Sequence, residues 1–101
     1  MIIEILYFEG CPNREPAIDL AREVVSELGL VVEIQEVEIL TAKDAERLRF
    51  LGSPSIRVNG ADIEPEASEW KEYALSCRMY GGQGLPPREL LLDALRDGSD
   101  S

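Results

Sequence analysis

Residues 8 to 14 read Phe8-Glu9-Gly10-Cys11-Pro12-Asn13-Arg14. An apolar run precedes this stretch and a helical pattern follows it, so Cys11 lies where a strand passes into a helix. A thiol at that position faces the positive end of the helix dipole and unpaired backbone amides, and both favour the thiolate over the thiol. The junction is therefore the predicted active site, with Cys11 as its nucleophile.

The composition sets the class of protein to expect. A length of 101 residues predicts a single domain over residues 1–101, and 45% hydrophobic with 30% charged residues is typical of a soluble globular protein. Ten basic and twenty acidic residues give a net charge of −10, which repels phosphate backbones and anionic lipid surfaces. We expect neither nucleic acid nor a membrane among the partners.

The cysteine inventory restricts the chemistry. Cys11 and Cys77 are too few for a disulfide scaffold, and without histidine they fall two ligands short of a structural zinc site. Met1–Phe8 lacks the basic leader and cleavage site of a signal peptide, which predicts a cytoplasmic location. Any redox role is then expected to be catalytic, and no cofactor or resident metal is expected.

The first strand and helix have the clearest patterns. Residues 2–8 are β-branched and aromatic, as in a strand buried on both faces. Apolar residues at helical spacing predict a helix from Asn13, as N-cap, to Leu28, with Pro16 at its third position and Gly29 after its end. In the alternative, the helix begins at Cys11 and Pro16 kinks it.

The remaining elements follow from spacing and turn signals. Residues 30–39 predict a second, parallel strand in an outer position, and residues 41–51 a short helix ended by Gly52. Residues 53–63 predict a β-hairpin around a type I′ Asn59-Gly60 turn. Residues 64–84 are predicted to be an irregular excursion. Pro86 and Pro87 open a last helix, and residues 97–101 are expected to form a flexible tail.

This order resembles the thioredoxin-like superfamily, over residues 2–63 and the last helix. Beside the stretch around Cys11, a second segment carries the resemblance: Gly52-Ser53-Pro54-Ser55-Ile56-Arg57-Val58-Asn59-Gly60. The resemblance implies a three-layer α/β/α fold, with a central mixed four-stranded sheet in the order β-α-β-α-β-β-α. It also implies that the Ser53–Pro54 peptide is cis and that Pro12, Ser53 and Pro54 contact an extended thiol substrate.

Arg14 stands where the family usually has a second, resolving cysteine. The motif is therefore more similar to that of monothiol glutaredoxins, in which an external thiol resolves the mixed disulfide on the nucleophile. Arg14 would add a positive charge beside Cys11. The resemblance thus implies a thiol-disulfide oxidoreductase acting on glutathione or a protein disulfide, with no implication for the oligomeric state.

Cys77 leaves alternatives open. It is either a buried hydrophobic residue or a remote resolving thiol, and we list it beside Cys11 and Arg14 as a candidate catalytic residue. If the two cysteines meet, they would instead suit a protein that binds a soft metal or an organomercurial. A third hypothesis is a redox-inactive interaction module with the same fold.

Overall fold

The structure, a computed structural model, describes residues 1–71, 73, 78, 80 and 84–99. In chain order its elements are β1 (Ile2–Tyr7), α1 (Arg14–Leu28), β2 (Glu33–Glu38), α2 (Ala42–Arg47), β3 (Ser55–Val58), β4 (Ala61–Asp62), a 3-10 helix (Pro65–Glu69) and α3 (Arg88–Ser99). The strands form one mixed sheet in the order β2-β1-β3-β4, in which only the β1–β2 pair is parallel. The predicted α/β class and mixed four-stranded sheet are confirmed, as is the outer position of the second strand.

Alternation along β1 separates two apolar clusters, because successive side chains of a strand point to opposite faces of the sheet. Ile3 and Ile5 are fully buried on one face, where they pack with α1 and α3. Leu6 points to the other face. There it packs with Ile39, with Ala45 of α2 and with Phe50. Helices therefore cover both faces of the sheet.

The start of α1 follows the first of the two predicted alternatives. Asn13 occupies the N-cap position, and Pro16 is the third helical residue. A proline is tolerated there because its missing N–H would have no partner within the helix. Gly29 ends the helix with a left-handed conformation at φ 66°. The kinked helix beginning at Cys11 does not form.

The second helix is shorter than predicted, because α2 ends at Arg47 instead of continuing to Leu51. Arg49 takes φ 56°, and its N–H donates to Glu46 while that of Phe50 donates to Ala45. This paired bonding is a Schellman motif, usually built on glycine. The turn directs Phe50 into the core, where it is fully buried. The prediction missed this ending because it took Gly52 as the stop signal.

The hairpin forms around the predicted turn. Asn59 and Gly60 both have positive φ, 50° and 87°, as a type I′ turn requires. The turn is also attached to β1, since Asn59 exchanges hydrogen bonds of 2.8 and 3.0 Å with the backbone of Ile2. The returning strand, β4, contains only Ala61 and Asp62, and ends before the predicted limit at Ile63.

Two described segments beyond residue 64 are more regular than expected. A 3-10 helix, Pro65–Glu69, opens the predicted excursion. Helix α3 begins at Arg88, directly after the proline pair, and includes residues 97–99 of the expected tail. Across the described residues, no helix has the length and apolar character needed to cross a membrane.

Candidate functional site

Cys11 lies in the connection between β1 and α1. Its N–H donates to the carbonyl of Phe8 at 3.2 Å, and its own carbonyl accepts from the N–H of Arg14 at 3.4 Å. Gly10 allows the turn by adopting φ 90°, a conformation that glycine takes without steric cost. The thiol is free and partly exposed. It is therefore open to a reagent approaching the start of α1.

An open cavity of about 660 Å³ surrounds this thiol. Tyr7, the turn and the first residues of α1 contribute to its wall, and so does the end of β2. The lining residues are Tyr7, Glu9, Gly10, Cys11, Pro12, Arg14, Glu15, Pro16 and Glu38. Three acidic residues and one arginine thus line the same cavity as Cys11.

Arg14 lies in this cavity, but it is bound to two other residues. Its guanidinium donates two hydrogen bonds to one carboxylate oxygen of Glu36, at 2.7 and 3.2 Å. It also lies 4.1 Å from the centre of the Tyr7 ring. The hydrogen bond to Glu36 raises the pKa of Arg14, so the side chain remains charged. The carboxylate partly neutralises the positive charge that the sequence places beside Cys11.

The sheet register relates Cys11 to Pro54. Strands β1 and β3 are antiparallel, with Leu6 opposite Ser55. The end of β1 and the beginning of β3 therefore meet at the same end of the sheet. Cys11 follows one and Pro54 precedes the other, so the topology brings both segments to this end. The Ser53–Pro54 peptide is cis, as the resemblance implies.

The loop before β3 is covered. Ser53 and Ser55 are fully buried, and Pro54 is among the fully buried side chains. The Ser55 hydroxyl donates to the carbonyl of Gly52 at 2.6 Å. The Ser53 hydroxyl is buried and has no hydrogen-bond partner within the described part of the chain. In contrast to Pro12, neither Ser53 nor Pro54 lines the described wall of the cavity around Cys11.

Arg78 and Tyr80 provide this cover. The N–H of Arg78 donates to the carbonyl of Ser53 at 2.9 Å, and the Tyr80 hydroxyl donates to the carbonyl of Pro54 at 2.7 Å. The Arg78 side chain binds Asp62 and Glu64, and the whole residue is 6% exposed. Burial lowers the pKa of Arg78, but the hydrogen bond to Asp62 and the neighbouring negative charges outweigh it, so the pKa is raised.

The sequence pattern had not indicated this buried arginine. Residues 64–84 carry no sustained period, and the spacing of Arg78 from Asp62 and Glu64 matches no local motif. The signal available was its charge, since Arg78 is the one basic residue between Lys71 and Arg88. Glu36 was likewise predicted only as a residue of an outer strand, and not as the partner of Arg14.

Cys77 lies outside the described residues. In the part of the chain that is described, no three cysteine, aspartate or glutamate side chains group closely enough to hold a metal ion. Comparisons of the chain with protein-family models, with curated proteins and with solved structures gave no match.

Proposed function

We propose that this chain is a thioredoxin-like thiol-disulfide oxidoreductase of monothiol type. The observation that carries the proposal is the position of Cys11. Its partly exposed thiol precedes α1 at the end of the sheet where β3 begins after the cis Ser53–Pro54 peptide. A partly exposed thiol before a helix N-terminus is the environment in which reactive cysteines occur.

The reaction consists of three thiol-disulfide exchanges. The Cys11 thiolate attacks one sulfur of the substrate disulfide, forming a mixed disulfide and releasing the other half of the substrate as a thiolate. A second thiolate then attacks the sulfur of Cys11, releases the bound half and leaves on Cys11 a disulfide to the attacking thiol. A further thiol frees Cys11, so two external thiols are oxidised for each disulfide reduced.

The neighbouring residues have distinct roles in this proposal. Arg14 and the N-terminus of α1 contribute positive charge to the cavity that Cys11 lines, and the pairing of Arg14 with Glu36 limits the contribution of Arg14. Pro12 contacts the substrate, and the backbone of Ser53 and Pro54 adds contacts where the substrate is an extended peptide. The substrate class is a disulfide of glutathione or of a protein. Cys77 is the candidate for an internal resolving thiol, in which case two external thiols reduce the Cys11–Cys77 disulfide.

The decisive experiment compares three proteins: the wild type, Cys11→Ser and Cys77→Ser. Each is supplied with 2-hydroxyethyl disulfide and with glutathione as the reductant, and thiol release is followed. Circular dichroism is used to check that both variants are folded. We expect Cys11→Ser to reduce the rate to that of the reaction without protein.

Cys77→Ser determines the type of mechanism. Retained activity supports the monothiol reaction with an external thiol, whereas loss of activity identifies Cys77 as the resolving thiol. Undiminished activity of a folded Cys11→Ser protein would contradict the proposed function, because Cys11 would then not be the nucleophile.

A further inference from the structure

Two successive carbonyl groups of the loop before β3 are occupied by the chain itself. The N–H of Arg78 donates to Ser53 at 2.9 Å and the Tyr80 hydroxyl to Pro54 at 2.7 Å. The backbone of Arg78 also lies against Gly52, since a Cβ built on that glycine would be 3.0 to 3.2 Å from the N, Cα and Cβ atoms of Arg78. Because Ser53 is fully buried, its carbonyl is not open to a donor from outside.

The side chain of Arg78 holds this backbone contact in place. Its guanidinium donates to Asp62 at 2.7 and 2.9 Å, to Glu64 at 2.6 and 3.2 Å, and to the Ser55 hydroxyl at 3.2 Å. Its central carbon also lies 4.6 Å from the centre of the Tyr80 ring. All these partners lie outside the cavity at Cys11. These contacts of the Arg78 side chain are therefore separate from the residues that line the cavity at Cys11.

An extended peptide binds to a strand edge or loop by pairing its backbone with free N–H and C=O groups. At the loop before β3, Arg78 already makes such a bond. A peptide that uses the Ser53 carbonyl must therefore displace the Arg78 amide. A small disulfide that reaches only the partly exposed Cys11 need not do so.

We propose that Arg78 and Tyr80 form an autoinhibitory contact, in which they occupy the Ser53 and Pro54 carbonyls that the proposed function assigns to an extended substrate backbone. The inference rests on the proposed function, and adds that the protein discriminates by substrate size. Small disulfides react with Cys11 directly, whereas peptide disulfides react at a rate limited by release of this contact.

Amide hydrogen exchange at Arg78 tests the displacement. The full-length Cys77→Ser protein is prepared with Cys11 in a mixed disulfide, either with cysteamine or with a neutral ten-residue peptide that has a central cysteine. Exchange is followed by NMR. The internal reference is the amide of Asp44 in α2, which donates a hydrogen bond to the side chain of Thr41. We expect Arg78 to exchange at least about tenfold faster in the peptide adduct, with Asp44 unchanged.

Rates with Tyr80→Phe provide an independent test. This change removes the hydrogen bond to Pro54 and keeps the ring beside Arg78, so we expect a several-fold faster reaction with the peptide disulfide and an unchanged rate with 2-hydroxyethyl disulfide. The matched control, Tyr73→Phe, alters a tyrosine that lines a different cavity, and should change neither rate.

The outcomes separate the inference from the function on which it rests. Equal protection of Arg78 in the two adducts, or equal acceleration of both substrates by Tyr80→Phe, overturns the autoinhibitory contact and leaves the oxidoreductase intact. Failure of Cys11 to react with either disulfide overturns the oxidoreductase, and the inference with it.

Discussion

The guanidinium of Arg78 binds the carboxylate of Asp62 through two hydrogen bonds, with N···O distances of 2.7 and 2.9 Å. The arginine side chain is 5% exposed and the aspartate side chain 13%. Removal of one partner from a buried ion pair leaves the other charge desolvated and uncompensated. The pair therefore connects Arg78 to Asp62 at the end of the hairpin, and each partner depends on the other for charge compensation.

Replacement of Arg78 by methionine should lower the free energy of unfolding by about 3 to 5 kcal/mol, because Asp62 and Glu64 lose their shared cation. Urea denaturation measures the loss. The matched control is Arg47→Met, which removes an exposed pair with Asp44 on α2 and should cost at most about 1 kcal/mol. Similar losses in the two variants would contradict a special contribution of the buried pair.

Gly52→Ala should be more destabilising than Gly60→Ala. Both glycines have positive φ, 127° and 87°, but only at Gly52 does a new Cβ meet the backbone of Arg78. We expect Gly52→Ala to cost roughly 1 to 3 kcal/mol more, the usual range for overpacking. Thermal and urea unfolding of the two variants provide the comparison. Equal costs would show that Arg78 does not pack tightly against this loop.

Glu36→Gln should make Cys11 more reactive. The change removes the negative charge that neutralises Arg14, so the cavity that Cys11 lines becomes more positive, and reactive cysteines occur in positive surroundings. We expect alkylation of Cys11 by iodoacetamide at neutral pH to be several-fold faster, as followed by mass spectrometry of the peptide that contains it. Glu33→Gln, at the first residue of the same strand, is the control for net charge. An equal effect of both changes would exclude a specific role of the pair.

Stability at alkaline pH should depend on Tyr80. Burial raises the pKa of this hydroxyl, and the positive charge of Arg78 opposes that shift only in part. Below the ordinary tyrosine pKa of about 10, the hydroxyl is protonated in both the folded and the unfolded state, so ionisation costs no stability. Above that pH the unfolded chain ionises first, and the free energy of unfolding therefore falls as the pH rises. The wild type should thus lose free energy of unfolding above about pH 10 more steeply than Tyr80→Phe. Parallel curves for the two proteins would contradict the prediction.

Local patterns were sufficient for most of the secondary structure. Asn13, Pro16 and Gly29 determine the limits of α1 through backbone requirements that act within a few residues. Asn59-Gly60 determines the hairpin in the same way, because both residues tolerate positive φ. The end of α2 was missed for the opposite reason. A non-glycine residue, Arg49, takes the left-handed position there, since Phe50 can then be buried against the sheet.

Two features of the site can be predicted from the sequence alone: a cysteine precedes a helix at the end of a central strand, and a proline precedes the third strand. Strand alternation and helical period encode both facts locally. The surroundings of Cys11 and Pro54 depend on the tertiary structure. It paired Arg14 with Glu36 and placed Arg78 and Tyr80 on the loop at Pro54. Such contacts join residues 22 to 26 positions apart. They form because the folded sheet brings distant charges and donors together, and a local sequence pattern contains no information about such distances.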